Sequence, residues 1–295
     1  MRVNDYVLSC VLGVVEGLTE FLPVSSTGHL RIAEALMHLD LSSDYWKTYS
    51  IVIQLGAILC LPIYFRARIG AFLASFPRGT RGDRTMLTHP LSLTIVAFVT
   101  TAVPGVLLKR VMDRNLESLV VIGTSLVIGG VIMWIVDARQ AASEAAGPGA
   151  PGSRIRTWHM EDMTLGQAVW IGACQVFSGV FPGTSRSMTT IAGGQLAGMS
   201  RASALEFSFF LSMPTMAAAT LLEAFQAVRG HGENAVQVGT IDTHGWVVVA
   251  VGFVVSFVVA YGSVAWFMHW VRRHGFVPFA IYRILAGAAV LFWLA

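Results

Sequence analysis

Two stretches of this 295-residue chain repeat one another inside apolar sequence, and both interrupt it with charge, hydroxyls and proline. The first runs from Gly13 through Glu16, Glu20, Pro23, Ser25, Ser26 and Thr27 to His29. The second runs from Gly172 through Gln175, Pro182, Thr184, Ser185, Arg186 and Ser187 to Thr189. A shift of 159 positions pairs Gly13 with Gly172, Glu16 with Gln175, Pro23 with Pro182 and Ser26 with Ser185. Carboxylates, an arginine and a histidine are costly inside a bilayer, so residues of this kind at membrane depth point to a functional site.

The surrounding sequence is membrane sequence. The chain is 55% hydrophobic and 13% charged, with a mean hydropathy of +0.65. A spanning helix needs about 20 mostly apolar residues. Segments at about 46–65, 91–108, 116–136, 205–225, 246–270 and 276–294 meet that requirement. Two shorter ones, about 6–22 and 165–181, end in the proline motifs and read as re-entrant hairpins. Irregular backbone is tolerated at membrane depth only where protein or a water-filled cavity surrounds it. The expected fold is therefore an all-α integral membrane protein with about six transmembrane helices and two re-entrant hairpins.

The run Gly147-Pro148-Gly149-Ala150-Pro151-Gly152-Ser153 cannot hold a regular element. It marks a linker at about 139–163 within a single membrane domain, 1–295, between repeat one (about 1–138) and repeat two (about 164–295). Each repeat carries one motif segment and then three spans. If the motif segments dip in and return, an odd number of spans inverts the second repeat relative to the first, an arrangement used by transport-type folds. The loops at 66–89, 139–163, 201–204 and 272–275 then share one face and carry eleven Lys or Arg. The other face carries seven: Arg2, Arg31, Lys47, Lys109, Arg110, Arg114 and Arg229. The richer face is expected in the cytoplasm. Both termini would then lie outside, with the first hairpin opening outward, the second inward, and their tips meeting near mid-membrane.

Other classes are disfavoured. Arg2 is followed by Asp5, and the first apolar run leads into Glu16 and Glu20 with no small-residue cleavage site, which is poor signal-peptide sequence. Cys10, Cys60 and Cys174 are odd in number and sit in apolar segments, as expected of buried thiols rather than a disulfide or metal framework. The net charge is only +3, and its basic residues lie mainly in loops, so they speak to topology and not to nucleic acid.

Glu16 and Glu20 are spaced to share one helix face. Two carboxylates so placed require either a proton on one or a cation between them. Hard cations such as Mg²⁺ or Ca²⁺ take oxygen ligands, and Mg²⁺ commonly combines one or two carboxylates with substrate phosphate. A general-base role is the alternative chemical reading, and a helix end at the lipid interface is the bland one. Pro23 ends the helix, and Ser25, Ser26 and Thr27 can cap the next, with His29 in its first turn. A helix N-terminus attracts anions. Ser26 adds a hydroxyl nucleophile, and His29 an imidazole that titrates near neutrality. Simple capping and a buried core histidine would also account for these two residues taken singly. In the second copy Ser185, Ser187 and Thr190 accompany Arg186, whose planar fork suits bidentate phosphate binding. A salt bridge from Arg186 to Glu16 or Glu20 is the structural alternative. Two opposed helix N-termini and one arginine would grip a polyanion from both sides.

These residues resemble a known family. The segment Glu16-Gly-Leu-Thr-Glu20-Phe-Leu-Pro-Val-Ser-Ser-Thr-Gly-His29 and the segment Pro182-Gly-Thr-Ser-Arg186-Ser look like the two signature motifs of bacitracin-resistance type undecaprenyl-diphosphate phosphatases. Ile53-Gln54-Leu55-Gly56-Ala57-Ile58, Glu206-Phe207-Ser208-Phe209 and Ile281-Tyr282-Arg283 resemble that family too. The resemblance implies a multi-pass enzyme of the bacterial inner membrane. Its active site would face the periplasm and hydrolyse undecaprenyl diphosphate, returning the lipid carrier to cell-wall synthesis. It also implies a divalent cation, Mg²⁺ or Ca²⁺, held by Glu16 and Glu20. Ser26 or His29 would attack or position water, and Ser25, Thr27, Ser185, Arg186, Ser187 and Thr190 would bind the phosphates. Ser50, where many members carry Glu, and Met188-Thr189, where many carry Gly-Ala, depart from the pattern. The rival class is a lipid-phosphate transporter or flippase using the same anion grip, and a homodimer is left open.

Overall fold

The computed structural model describes residues 4–37, 39, 44–115, 118–229 and 242–293. Of the basic residues used for topology, Arg2 lies outside them, and the side chains of Lys47, Arg114 and Arg229 are likewise not described. The described chain is helical, with no β-strand and a single isolated bridge between Thr157 and Met199. In chain order the α-helices are α1 (Asp5–Thr19), α2 (Ser26–Leu36), α3 (Asp44–Tyr64), α4 (Arg66–Ser75), α5 (Pro90–Leu107) and α6 (Lys109–Asn115). They continue with α7 (Leu119–Ala146), α8 (Leu165–Val180), α9 (Arg186–Leu196), α10 (Arg201–Arg229), α11 (Thr243–His274) and α12 (Val277–Trp293).

Among the described residues four stretches are long and apolar enough to cross a membrane: Pro90–Leu107, Leu119–Ala146, Arg201–Leu222 and Thr243–His274. A fifth forms if Thr48–Tyr64 and Arg66–Ser75, which bend by 60° at Phe65, count together. Helix α12 is apolar but has only 17 residues. Helix α7 outlasts its apolar stretch and reaches Ala146, because Ala141, Ala142, Ala145 and Ala146 favour helix. The irregular stretch therefore starts at Gly147, where φ is +79°.

The chain forms two compact units. The first comprises Met1–Phe21, Ser26–Tyr64 and Ser212–Ala265. Its core gathers Leu12, Tyr49, Ile53, Val248 and Val249. Glycines bring α1 and α11 close: a Cβ on Gly13 would lie 2.8 Å from Gly252 O, and one on Gly17 would lie 2.7 Å from Ser256 O. Small residues at helix contacts are how membrane helices gain packing where lipid gives no hydrophobic advantage. Hydroxyls finish the joint. Ser9 donates to Val248 O at 2.7 Å, Ser256 to Ile53 O at 2.8 Å and Tyr49 to Ser9 O at 2.9 Å.

The second unit comprises Leu22–Ser25, Phe65–Leu211 and Trp266–Ala295. Here α7 packs on α12 through Gly123, Gly130 and Gly287, and α8 packs on α5 through Gly172, whose carbonyl accepts from Thr101 at 2.8 Å. Asp137 is fully buried and ties several elements. It accepts from Arg201 Nε at 2.7 Å, Gln195 Nε2 at 3.0 Å and the Phe276 amide at 3.0 Å. An aromatic cluster of Phe65, Phe72, Phe209, Phe210, Phe267 and Phe276 fills the space beside it.

Candidate active site

Helix α1 begins at Asn4, which accepts from the Tyr6 amide, and winds far enough for Glu16 and Glu20 to lie one turn apart. Glu16 is fully buried and Glu20 is 6% exposed. Glu20 caps the helix, its amide donating to Glu16 O at 2.9 Å. The chain then turns through Phe21–Val24 and starts α2 at Ser26. The Ser26 hydroxyl donates directly to the Glu20 carboxylate. His29 follows within the first turn of α2, half-buried, and Thr27 is exposed. This first unit thus brings together two buried carboxylates, a hydroxyl on one of them, and an imidazole one turn along from that hydroxyl.

As a cation site, the donor set is limited. Among the described residues no group of three or more His, Cys, Asp or Glu could hold a metal ion. Two carboxylates alone do not make a protein cage. They do suit a hard cation that keeps waters and takes further oxygens from a phosphate.

The second unit holds the other motif. Helix α8 opens with a capping box between Thr164 and Gln167 and buries Gln175, 2% exposed. Ser185 then caps α9, accepting from the Met188 amide at 3.4 Å. Ser187 donates to Leu22 O at 2.9 Å and lies 3.0 Å from the Ser185 hydroxyl. Arg186 is half-buried in the first turn of α9. Thr190, only 1% exposed, spends its hydroxyl on Arg186 O at 2.9 Å and on Ser208 at 2.7 Å. An apolar groove of about 560 Å³ runs along α7, α8 and α9. Its walls include Ile128, Ile132, Phe177 and Leu196, together with Thr184, two residues ahead of Arg186.

The backbone revises how the two copies align. Helices α2 and α9 both have 11 residues, and each is preceded by a serine in the left-handed region, Ser25 at φ 76° and Ser185 at φ 72°. Ser25 therefore matches Ser185, and Ser26 matches Arg186, not Ser185. Ahead of the turn the original shift holds. Leu8, Ser9, Leu12, Gly13 and Glu16 are buried in α1, as are Gln167, Ala168, Ile171, Gly172 and Gln175 in α8. The second copy has one additional residue in its turn, Gly183, at φ 91°. Only glycine fits, since a Cβ there would lie 2.5 Å from Ile122 O.

Sequence reasoning overlooked one buried carboxylate in α2. Glu34 is 3% exposed and accepts from Ser50 at 3.4 Å and Arg31 at 3.5 Å. Ser50, the departure from the family pattern, is thus its neighbour. A glutamate within an amphipathic helix gives no signal of burial.

The family model described as "Bacitracin resistance protein BacA" matches residues 9–289. A protein of Koribacter versatilis named "Undecaprenyl-diphosphatase" is 58% identical over 292 residues, covering 98% of each chain. Proteins with the same name from Caldanaerobacter subterraneus and Sorangium cellulosum are 35% and 41% identical. The first of these covers 100% of this chain and 98% of the relative, the second 96% and 84%.

Proposed function

The chain belongs to the bacitracin resistance protein family, and on that premise we propose that it is a membrane phosphatase that hydrolyses undecaprenyl diphosphate to undecaprenyl phosphate and inorganic phosphate, recycling the lipid carrier of cell-wall synthesis. The observation that carries this reading is the similarity, end to end, to relatives bearing that enzyme's name.

The residues supply a mechanism in kind. The Ser26 hydroxyl donates to Glu20, a nucleophile resting on a carboxylate that can take its proton. Either Ser26 attacks the terminal phosphorus, forming a phosphoserine that water later hydrolyses, or Ser26 and Glu20 orient a water and accept its proton. On this reading His29 hands a proton to the departing lipid phosphate. In both routes the bridging P–O bond breaks and one water is consumed. Arg186 and the amides at the start of α9 stabilise the phosphate oxygens. A divalent cation, Mg²⁺ or Ca²⁺, would be held by Glu16 and Glu20 and would offset the negative charge of the diphosphate. The apolar groove beside Thr184 offers room for isoprenoid units next to that anion site.

For the membrane arrangement, we take α3 with α4 as one span and α12 as the sixth, with α1–α2 and α8–α9 as re-entrant hairpins of inverted repeats. The site then faces the periplasm. The first test is phosphate release from a prenyl diphosphate by the purified protein, with and without Mg²⁺ or Ca²⁺. A transporter would bind the lipid and release no phosphate. The second test uses cysteines introduced singly for the exposed Asp5 and Thr80 in a variant lacking Cys10, Cys60 and Cys174. On intact cells an impermeant thiol reagent should label the Asp5 position and spare the Thr80 position. The reverse pattern would move the reaction to the cytoplasmic face.

A further inference from the structure

Arg283, in α12, is fully buried, and no described Asp or Glu forms a salt bridge with it. Its guanidinium spends its donors on three backbone carbonyls instead. Nη1 donates to Pro23 O at 2.9 Å, and Nη2 donates to Gly183 O at 3.0 Å and Ser125 O at 3.3 Å. Ser125 belongs to α7, but the other two carbonyls are equivalent. Pro23 lies two residues before Ser25, Gly183 lies two residues before Ser185, and these are the only non-glycine residues at positive φ among those described. One side chain therefore grips the same point in both copies of the motif.

The surroundings are shaped for this grip. Gly129 of α7 leaves the space the guanidinium fills, and a Cβ there would collide with Nη2. The extra residue that brings a second carbonyl into reach is Gly183 itself. A serine held at positive φ is strained and persists only where its surroundings over-determine it. We propose that Arg283 is a positioning residue: it pins the two turns, at 23–25 and 183–185, in register, and so fixes the turn backbone from which α2 and α9 each start. Arg283 itself does not touch the substrate. This role rests on the phosphatase reading for its effect on rate, but the pinning can be measured separately.

The planar fork is what allows two turns to be held at once. Arg283→Met removes a buried charge whose desolvation is costly, but it leaves three carbonyls without their donor. It should therefore give a protein that still purifies, with a modestly lowered melting temperature. Its kcat should fall about 10²-fold, the cost of a small misplacement of reacting groups, with KM within about threefold of wild type. Arg283→Lys, able to serve one carbonyl at a time, should fall between. Gly129→Ala, which displaces the guanidinium, should repeat the loss with Arg283 intact. Hydrogen exchange of the detergent-solubilised protein supplies the readout that does not need activity. In Arg283→Met the amides of 22–26 and 183–187 should both exchange about tenfold faster, a local opening made easier. Faster exchange in one turn only, or in neither, overturns the proposal. So does a Met variant with near wild-type kcat, or one whose activity falls in step with its melting temperature. If the wild-type protein releases no phosphate, the phosphatase reading fails, and the exchange data still decide whether Arg283 pins the turns.

Discussion

The two helix–turn–helix copies share a scaffold and divide the chemistry. Both place a buried polar residue on the first helix, Glu16 in α1 and Gln175 in α8. Both turn through a serine at positive φ and open a second helix of 11 residues. At the first residue of that helix one copy offers the Ser26 hydroxyl and the other the Arg186 guanidinium. The Ser26 hydroxyl meets the Glu20 carboxylate, whereas Ser187, next to Arg186, reaches the Leu22 carbonyl. A duplicated backbone thus supplies two helix N-termini, and in the proposed mechanism substitution of a few side chains would make one a proton-transfer centre and the other an anion grip.

If the division is real, conservative changes in the two copies should fail for different reasons. Glu20→Gln should abolish phosphate release, because the amide cannot take the Ser26 proton or hold a cation. An amide is easier to bury than a carboxylate, so insertion and purification should be normal. Unchanged activity and metal response in this variant would reduce Glu20 to an interfacial charge. Arg186→Lys keeps the charge and loses the paired donors. It should be nearly as damaging as Arg186→Ala, on the order of 10²-fold in rate. Most of the activity surviving in the Lys variant would make Arg186 a simple charge partner and erase the contrast between the copies.

The first helices of the copies can be compared through their glycines. Gly17 of α1 faces Ser256 and Val259 of α11, and Gly172 of α8 faces Ala97 and Thr100 of α5. Gly166, also in α8, has nothing within 4 Å of where a Cβ would sit. Gly17→Ala and Gly172→Ala should each destabilise by about 1–3 kcal/mol through overpacking. Gly166→Ala should be neutral or stabilising, since alanine is the better helix former. Melting temperatures in one detergent would check all three, and equal tolerance at the three positions would show that the helices separate without cost.

Much of this was legible in the residues. The charged and hydroxylated interruptions of apolar runs located both turns, and the helix bounds fall at the predicted places in α5 and α8, whereas α1 stops at Thr19, three residues short of the expected end and ahead of Pro23. The one-residue offset after Pro182 was not legible, because matching Ser26 to Ser185 by identity hides an inserted glycine that only its φ reveals. The carboxylate of Glu34 and the guanidinium of Arg283 were also opaque. A sequence shows that a polar residue sits in a helix, and not whether its partner is water, a side chain or a distant carbonyl. Thr190 lies on the face of α9 that its spacing from Arg186 indicates, yet Ser208, the partner of its hydroxyl, is 18 residues away.

The approaches to the two copies differ as well, and this gives the smallest expected effect. Helix α1 is entered through Asn4 and an exposed pair, Asp5 with His244 at 3.3 Å. Helix α8 is entered through Glu161 and Asp162, which meet Arg68 at 2.5 Å and Arg81 and Arg84 at 3.1 Å. Burial pushes Glu161 up, but the hydrogen bond and charge of Arg68 outweigh it and hold the carboxyl below its ordinary value of 4.5. A carboxyl with a depressed folded-state pKa adds stability that is complete above its unfolded value and lost as pH falls through the folded one. The melting temperature of wild type minus that of Glu161→Gln should therefore be positive and level above about pH 5, and shrink with further acidification. The same comparison for Asp5→Asn should stay near zero across that range, because an exposed pair contributes little. A difference for Glu161 that does not change between pH 5 and pH 3 would mean that its contact with Arg68 adds no stability, and that the second copy is no better tethered at its entrance than the first.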